Sequence, residues 1–362
     1  MRFTDEFRDT EIVKAIASRL KSKNDAQTVI MEVCGTHTMS IARFGLKSLL
    51  PQEVRLVSGP GCPVCVTDQL DIDSFLEIGK CPGVILATFG DMLRVPGSYS
   101  SLERMRAGGI DVRIVYSPMD SLDIAQDNPN REVVFFAVGF ETTIPATALT
   151  LKTAREMGLN NFYVFSAHKT IPEALRELLA DSEVNLHGLL LPGHVSTITG
   201  AMAFEFIPRD FGIACAVAGF EPVDILLGIE SILHQLGSGH PTLANIYSRA
   251  VGTSGNPRAA ELIGEVFQPC SAKWRGLGEI PQSGLELSPE YEAMDARKRF
   301  AQTIKGVRPM LSSECMCGSV LRGIIEPADC PLFAVRCTPD EPEGPCMVSS
   351  EGACSAAFKY GG

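Results

Sequence analysis

The sequence has no apolar run approaching the roughly eighteen residues that a membrane-spanning helix requires, so no membrane partner is expected. It has no excess of positive charge. Thirty-two Lys and Arg stand against 43 Asp and Glu, a net charge of −11 with a pI near 5.1, which argues against a nucleic-acid partner held by bulk electrostatics. It contains neither G-x-x-x-x-G-K-[ST] nor a G-x-G-x-x-G after a strand pattern, which counts against a nucleotide-using α/β enzyme. The first residues, MRFTDEFRDTEIVKAIASRL, form a charged amphipathic stretch without a secretory core, and a cytoplasmic location is expected. Only one C-x-x-C occurs, so two such pairs cannot build a zinc ribbon. With 45% hydrophobic and 21% charged residues and no fibrous period, disorder and collagen-like structure are excluded. At 362 residues the chain exceeds what one core holds, and two or three are expected.

What is present over the first 300 residues is an alternation of short apolar runs with longer amphipathic stretches. Val84–Phe89, Val112–Tyr116, Val133–Val138, Phe162–Phe165, Leu186–Leu191 and Ile213–Ala218 read as buried parallel strands, being short and apolar on both faces. Pro145–Met157 and Ile171–Leu179 read as helices, the second with Pro172 in its first turn. This alternation predicts helices packed on mostly parallel sheets. A short internal echo, Phe136–Glu141 against Val217–Glu221, each ending in Gly-Phe-Glu, is consistent with two similar units. Asp91, Glu141, His168 and His194 each follow a predicted strand, where open α/β sheets collect ligands; capping and turn roles are the ordinary alternative. The Gly-, Pro- and Ser-rich region from Gly237 to Gln282, which carries the only Trp, Trp274, is expected to be loops with helices such as Pro257–Phe267. From Val307 onward six prolines break the pattern, and so loop-rich a tail needs an external staple.

Cysteine is abundant where a staple is needed. Six of the twelve cysteines lie between Cys315 and Cys354. Their spacings are too wide for a zinc finger and suit loops wrapped around a larger object such as a four-iron cluster, with zinc and free or disulfide-bonded thiols as alternatives. Cys62 and Cys65 form the C-x-x-C after Gly59-Pro60-Gly61, a pattern that favours thiol redox chemistry. Cys34, in Met31-Glu32-Val33-Cys34-Gly35-Thr36-His37-Thr38, ends an apolar run among small, proton-capable neighbours. Cys81, Cys215 and Cys270 fit the usual reading of a lone cysteine as a small hydrophobe.

The strings CGTHTMSIARFG, SGPGCPVCVT, FAVGFETTIPAT, LPGHVSTITG and DCPLFAVRCTP…GPCMVSSEGAC together resemble the HypD family of hydrogenase maturation proteins, from about Ile30 to Tyr360. One departure is Met39, where the family pattern has a second His. The resemblance implies two similar α/β domains with mostly parallel sheets flanked by helices, plus a small loop-rich C-terminal iron–sulfur domain. Placed on this chain, the expected units are 1–125, carrying Cys34, Cys62 and Cys65, then 126–240, a helical and loop connection over 241–306, and a cysteine-rich domain over 307–362. It further implies a scaffold for the Fe(CN)2CO unit of [NiFe] hydrogenases rather than a conventional turnover enzyme. Such a scaffold works with a small HypC-type chaperone and a HypE-type cyanide donor. By the same resemblance, Cys34 is a ligand of the transient iron with His37 nearby, and Cys62 and Cys65 are the redox pair. The family spacing C-x14-C-x6-C-x16-C selects Cys315, Cys330, Cys337 and Cys354 for a [4Fe–4S] cluster, leaving Cys317 and Cys346 over. Glu141 and Glu351 are the carboxylates placed near this chemistry. The competing reading is a stand-alone iron–sulfur thiol–disulfide reductase in which Cys34 is structural.

Overall fold

The computed structural model describes residues 5–21, 27–310 and 314–361. Eleven strands are present among them: β1 Thr28–Glu32, β2 Val54–Ser58, β3 Val84–Thr88, β4 Val112–Ile114, β5 Glu132–Ala137, β6 Phe162–Ser166, β7 Gly188–Pro192, β8 Ala214–Ala218, β9 Leu243–Asn245, β10 Phe267–Trp274 and β11 Gly278–Leu287. They make a five-stranded sheet of order β2-β1-β7-β8-β9, a four-stranded sheet of order β4-β3-β5-β6, and the hairpin β10-β11. All pairings in the two larger sheets are parallel. β3, β7 and β8 are buried along their whole length, which is why they read as continuous apolar runs.

The helices between strands begin where local chemistry dictates. Asp68 Oδ1 accepts the Leu70 amide at 3.0 Å to open Gln69–Gly79, and Asn256 Oδ1 does the same for Pro257–Val266. Pro145, Pro172 and Pro222 occupy first turns, where the missing N–H costs nothing. No helix among the described residues is long and apolar enough to cross a membrane.

Alternation along the strands divides the core. Val134 and Phe136 of β5, with Leu189 and Leu191 of β7, enter one cluster shared by the two sheets, together with Val64, Cys65 and Val66 of the C-x-x-C loop. Val133, Phe135 and Ala137 face a second cluster under helix Ile144–Glu156. Leu190 and Ile30 face a third, under helices Thr10–Lys21 and Pro222–Ser238. The loop-rich tail packs directly on the shared core. Cys317, Leu321, Leu332, Met347 and Cys354 bury themselves in the same shared core.

Three features differ from the sequence reading. A division at 125/126 cuts the four-stranded sheet between β4 and β5, because β3 to β6 are completed between β2 and β7 in the chain. Parallel neighbours need crossovers, so adjacency in sequence does not set adjacency in the sheet. The Gly-Phe-Glu echo follows β5 in one sheet and β8 in the other, and these strands hold different positions in their sheets. The real similarity is the shared order, β2-β1-β7-β8 against β4-β3-β5-β6. Finally, the region expected to be helix and loop also contains the β10-β11 hairpin, which Cys270, Pro269 and a bulge between Cys270 and Ala272 disguise in the sequence.

Candidate functional site

In each parallel sheet the chain reverses its direction of growth between two central strands. That reversal opens a crevice at their carboxyl ends, between β1 and β7 in one sheet and between β3 and β5 in the other. Cys34 lies at the first, as the N-cap of helix Gly35–Arg43. The backbone leaves β1 through Val33, whose amide bonds to Leu190 O of β7 at 3.0 Å, so the turn into Cys34 is pinned to the neighbouring strand.

Four pieces of chain distant in sequence converge there. The Gly35 amide bonds to Gly61 O at 3.1 Å, bringing the C-x-x-C loop against the Cys34 turn. A Cβ at Gly61 would lie 1.3 Å from Val33 O and 2.6 Å from the Cys34 Cα, so only glycine permits this approach. Cys62 and Cys65 are joined in a disulfide with Cα atoms 5.2 Å apart, at the start of helix Pro63–Val66. Thr36 Oγ1 donates to Glu351 Oε1 at 2.6 Å, seating the tail on the same helix start. Phe220, after β8, packs between His37 and His194, with ring centroids 4.8 and 3.9 Å away.

The electrostatics follow from burial. Cys34 is 7% exposed, and burial together with the Glu351 charge pushes its thiol up to about 11; the Thr36 and His37 amides oppose this. His37 is fully buried, and burial holds its imidazole down to about 4, so it is neutral at physiological pH. Because a carbonyl only accepts, the 2.9 Å contact from His37 Nε2 to Gly219 O places the proton on Nε2. The buried Nδ1 has no partner and keeps its lone pair. Asp91, after β3, and His194, after β7, lie within electrostatic reach of Glu351.

Glu141 has a different station. It follows β5 in the other sheet, where Oε1 accepts the Ile171 amide at 2.9 Å and caps helix Ile171–Ala180. Burial pushes its carboxyl up to about 7, and Oε2 has no partner. Its neighbour Phe140 stacks on Trp274 at 5.9 Å. Sequence reasoning passed over Phe220 as a site residue; its signal was the Gly-Phe-Glu string beginning immediately after β8.

All six tail cysteines, Cys315, Cys317, Cys330, Cys337, Cys346 and Cys354, line one small cavity with Leu332, Phe333 and Met347. The thiols crowd each other. The hydrogen bond to Cys317 and then burial hold Cys315 far above the ordinary thiol range, and burial does the same for Cys354. Among the described residues no three His, Cys, Asp or Glu are set to hold a metal ion. An all-sulfur donor set in an apolar wall is nevertheless the chemistry that suits an iron–sulfur cluster, and four of these six thiols suffice for one.

Comparison with known proteins gives the context of these strings. A family described as "Hydrogenase formation hypA family", with the short name HypD, matches residues 10–361. The chain is 45% identical over 370 residues to the hydrogenase maturation factor HypD of Azotobacter vinelandii, covering 100% of this chain and 97% of that protein. It is 44% identical over 372 residues to its counterpart in Rhodobacter capsulatus, covering 100% and 99%. It is 45% identical over 375 residues to that of Escherichia coli K12, covering 99% and 98%. With the family match running from residue 10 to 361 and taking in every residue of the Cys34 crevice, the chain belongs to the HypD family.

Proposed function

We propose that this chain acts in hydrogenase maturation as a cytoplasmic scaffold on which the Fe(CN)2CO unit of a [NiFe] hydrogenase is built, with Cys34 as a protein ligand of the iron. The observation that carries this reading is the convergence on one crevice of a lone thiol, a disulfide and a neutral imidazole. Low-spin iron bearing cyanide and CO is a soft centre that favours thiolate. Cys34 must lose its proton to bind it. The charge of the arriving metal offsets the burial and the Glu351 repulsion that otherwise keep the thiol protonated. His37, neutral and held by its bond to Gly219 O, adds its backbone amide to the groups that favour the thiolate once the metal arrives.

In this reading Cys315, Cys330, Cys337 and Cys354 hold a [4Fe–4S] cluster, with Cys317 and Cys346 in the same cavity but outside the ligand set. The cluster, when bound, supplies single electrons, whereas the Cys62–Cys65 pair changes by two. A small HypC-type chaperone covers the crevice mouth, where His194 is exposed, and a HypE-type protein delivers cyanide.

The test is infrared spectroscopy of the anaerobically purified chain co-produced with its partners. Cyanide and CO bands are expected in the unaltered protein and lost in Cys34→Ser, while the visible absorption of the tail cluster stays. Cys330→Ala or Cys354→Ala removes that absorption instead. Normal maturation by Cys34→Ser would replace the scaffold with a stand-alone thiol–disulfide reductase, and zinc in place of iron would remove the cluster.

A further inference from the structure

The turn joining β10 to β11 belongs to neither large sheet, yet it lies between the disulfide helix and the cysteine-rich tail. On one side it holds the chain just after Cys65. Trp274 forms an antiparallel bridge with Thr67, and the Arg275 amide bonds to Val66 O at 2.9 Å. The Arg275 guanidinium then grips the same segment, Nε donating to Thr67 O at 3.1 Å and Nη2 to Gln69 Oε1 at 2.8 Å. Trp274 is buried, its Nε1 donating to Ser283 Oγ at 2.8 Å, so the turn is anchored at its base.

On the other side the turn meets the tail backbone to backbone at Gly276. A Cβ on Gly276 would lie 2.3 Å from the Gly318 Cα, and one on Gly318 would lie 2.7 Å from the Gly276 Cα. Gly276 also has φ +82°, a conformation other residues rarely adopt. Gly318 is the second residue of helix Cys317–Leu321. Arg275, Gly276, Cys315, Cys317 and Gly318 line one cleft, so the guanidinium faces the tail thiols as well as the disulfide segment.

We propose that Arg275 is a positioning residue: through the hairpin turn it locks the Cys62–Cys65 helix to helix Cys317–Leu321 and fixes a positive charge beside the tail thiols. The mechanical part stands on the geometry of the turn alone; the charge part rests on the cluster reading given above. A guanidinium fork bridges two acceptors at once, and a lysine ammonium on a flexible stem does not reproduce that grip. Fixed positive charge beside a centre that takes up an electron stabilises its reduced form.

The experiment compares anaerobically purified full-length protein with Arg275→Gln and Arg275→Lys, by hydrogen–deuterium exchange and by potentiometric titration of the visible absorption. Both variants are expected to raise exchange over residues 63–69 and 317–321 together by about tenfold or more, as loss of a hydrogen bond from a charged group implies. Only Arg275→Gln should lower the midpoint potential, by up to about tenfold in the reduction equilibrium, or about 59 mV for one electron. Gly276→Ala should open the same two segments without changing charge. Exchange rising in one segment only, or in neither, overturns the lock. An unchanged potential in Arg275→Gln overturns the charge role. If the unaltered chain carries no iron and sulfide, the cluster reading fails, and the exchange data still decide the lock.

Discussion

At the carboxyl ends of β1 and β7 the chain places a thiol and two imidazoles; at the matching ends of β3 and β5 it places carboxylates. Cys34 follows β1 where Asp91 follows β3, and His194 follows β7 where Glu141 follows β5. The two crevices arise from the same strand order, so topology supplies the location and cannot supply the chemistry. The difference lies in what closes over each. The Cys34 crevice receives the C-x-x-C loop and Glu351 from the tail, whereas Glu141 serves the first turn of helix Ile171–Ala180. A buried thiol and a helix-capping carboxylate thus occupy equivalent ground.

The comparison can be broken most sharply at Gly61. Its Cβ would fall 1.3 Å from a backbone oxygen, so Gly61→Ala forces the C-x-x-C loop off the Cys34 turn. A loss of about 4 kcal/mol or more is expected, seen as insoluble protein or a collapsed denaturation midpoint.

Glu141→Gln tests the other crevice. The folded-state carboxyl is raised to about 7 from an ordinary 4.5, so its stabilising contribution is present below about 4.5 and lost as pH rises through about 7. Glutamine still accepts the Ile171 amide but never ionises. The variant should therefore match the parent near pH 5 and exceed it by about 1–3 kcal/mol at pH 8, read from urea midpoints at both pH values. An equal difference at the two pH values would show that Glu141 is not the titrating group.

Glu351→Gln isolates the charge that the tail brings to Cys34. The amide oxygen still accepts from Thr36, while the negative charge that helps raise the Cys34 thiol disappears. Alkylation of Cys34 at pH 8 by a small reagent should quicken by about two- to tenfold, with little change in stability. The smallest effect is expected at Lys47, whose 3.8 Å ion pair with Glu326 is solvent-exposed at both ends. Lys47→Met should change stability by no more than about 0.5 kcal/mol.

The strands were legible because parallel strands buried on both faces leave unmistakable apolar runs; β3, β5, β6 and β8 fall within a residue or so of Val84–Phe89, Val133–Val138, Phe162–Phe165 and Ile213–Ala218. Sheet membership was not, since the β1–β7 pairing depends on packing across the intervening unit and leaves no local mark. Cys34 stood out by its small polar neighbours, and Cys62 with Cys65 by spacing. Glu351 came only through resemblance, because its partner Thr36 is 315 residues away. Trp274 was visible as the only tryptophan, but the hairpin it anchors was hidden by Pro269 and the bulge beside Cys270.

That Thr36–Glu351 contact has a consequence for biosynthesis. Translation proceeds at roughly 5–20 residues per second, so a nascent chain waits on the order of 15–60 s between making Thr36 and making Glu351. For about the first half of that interval the ribosome-bound polypeptide lacks β7, which flanks its central thiol, and for all of it the chain lacks the glutamate that seats against the Cys34 turn. The strands of the four-stranded sheet are all made by Ser166, yet the cluster beneath them also takes Phe267, Leu285 and Tyr291, so that core too waits for later chain. The Cys34 pocket closes only once Glu351 has been made, so a polypeptide that stops short of it never presents the closed pocket.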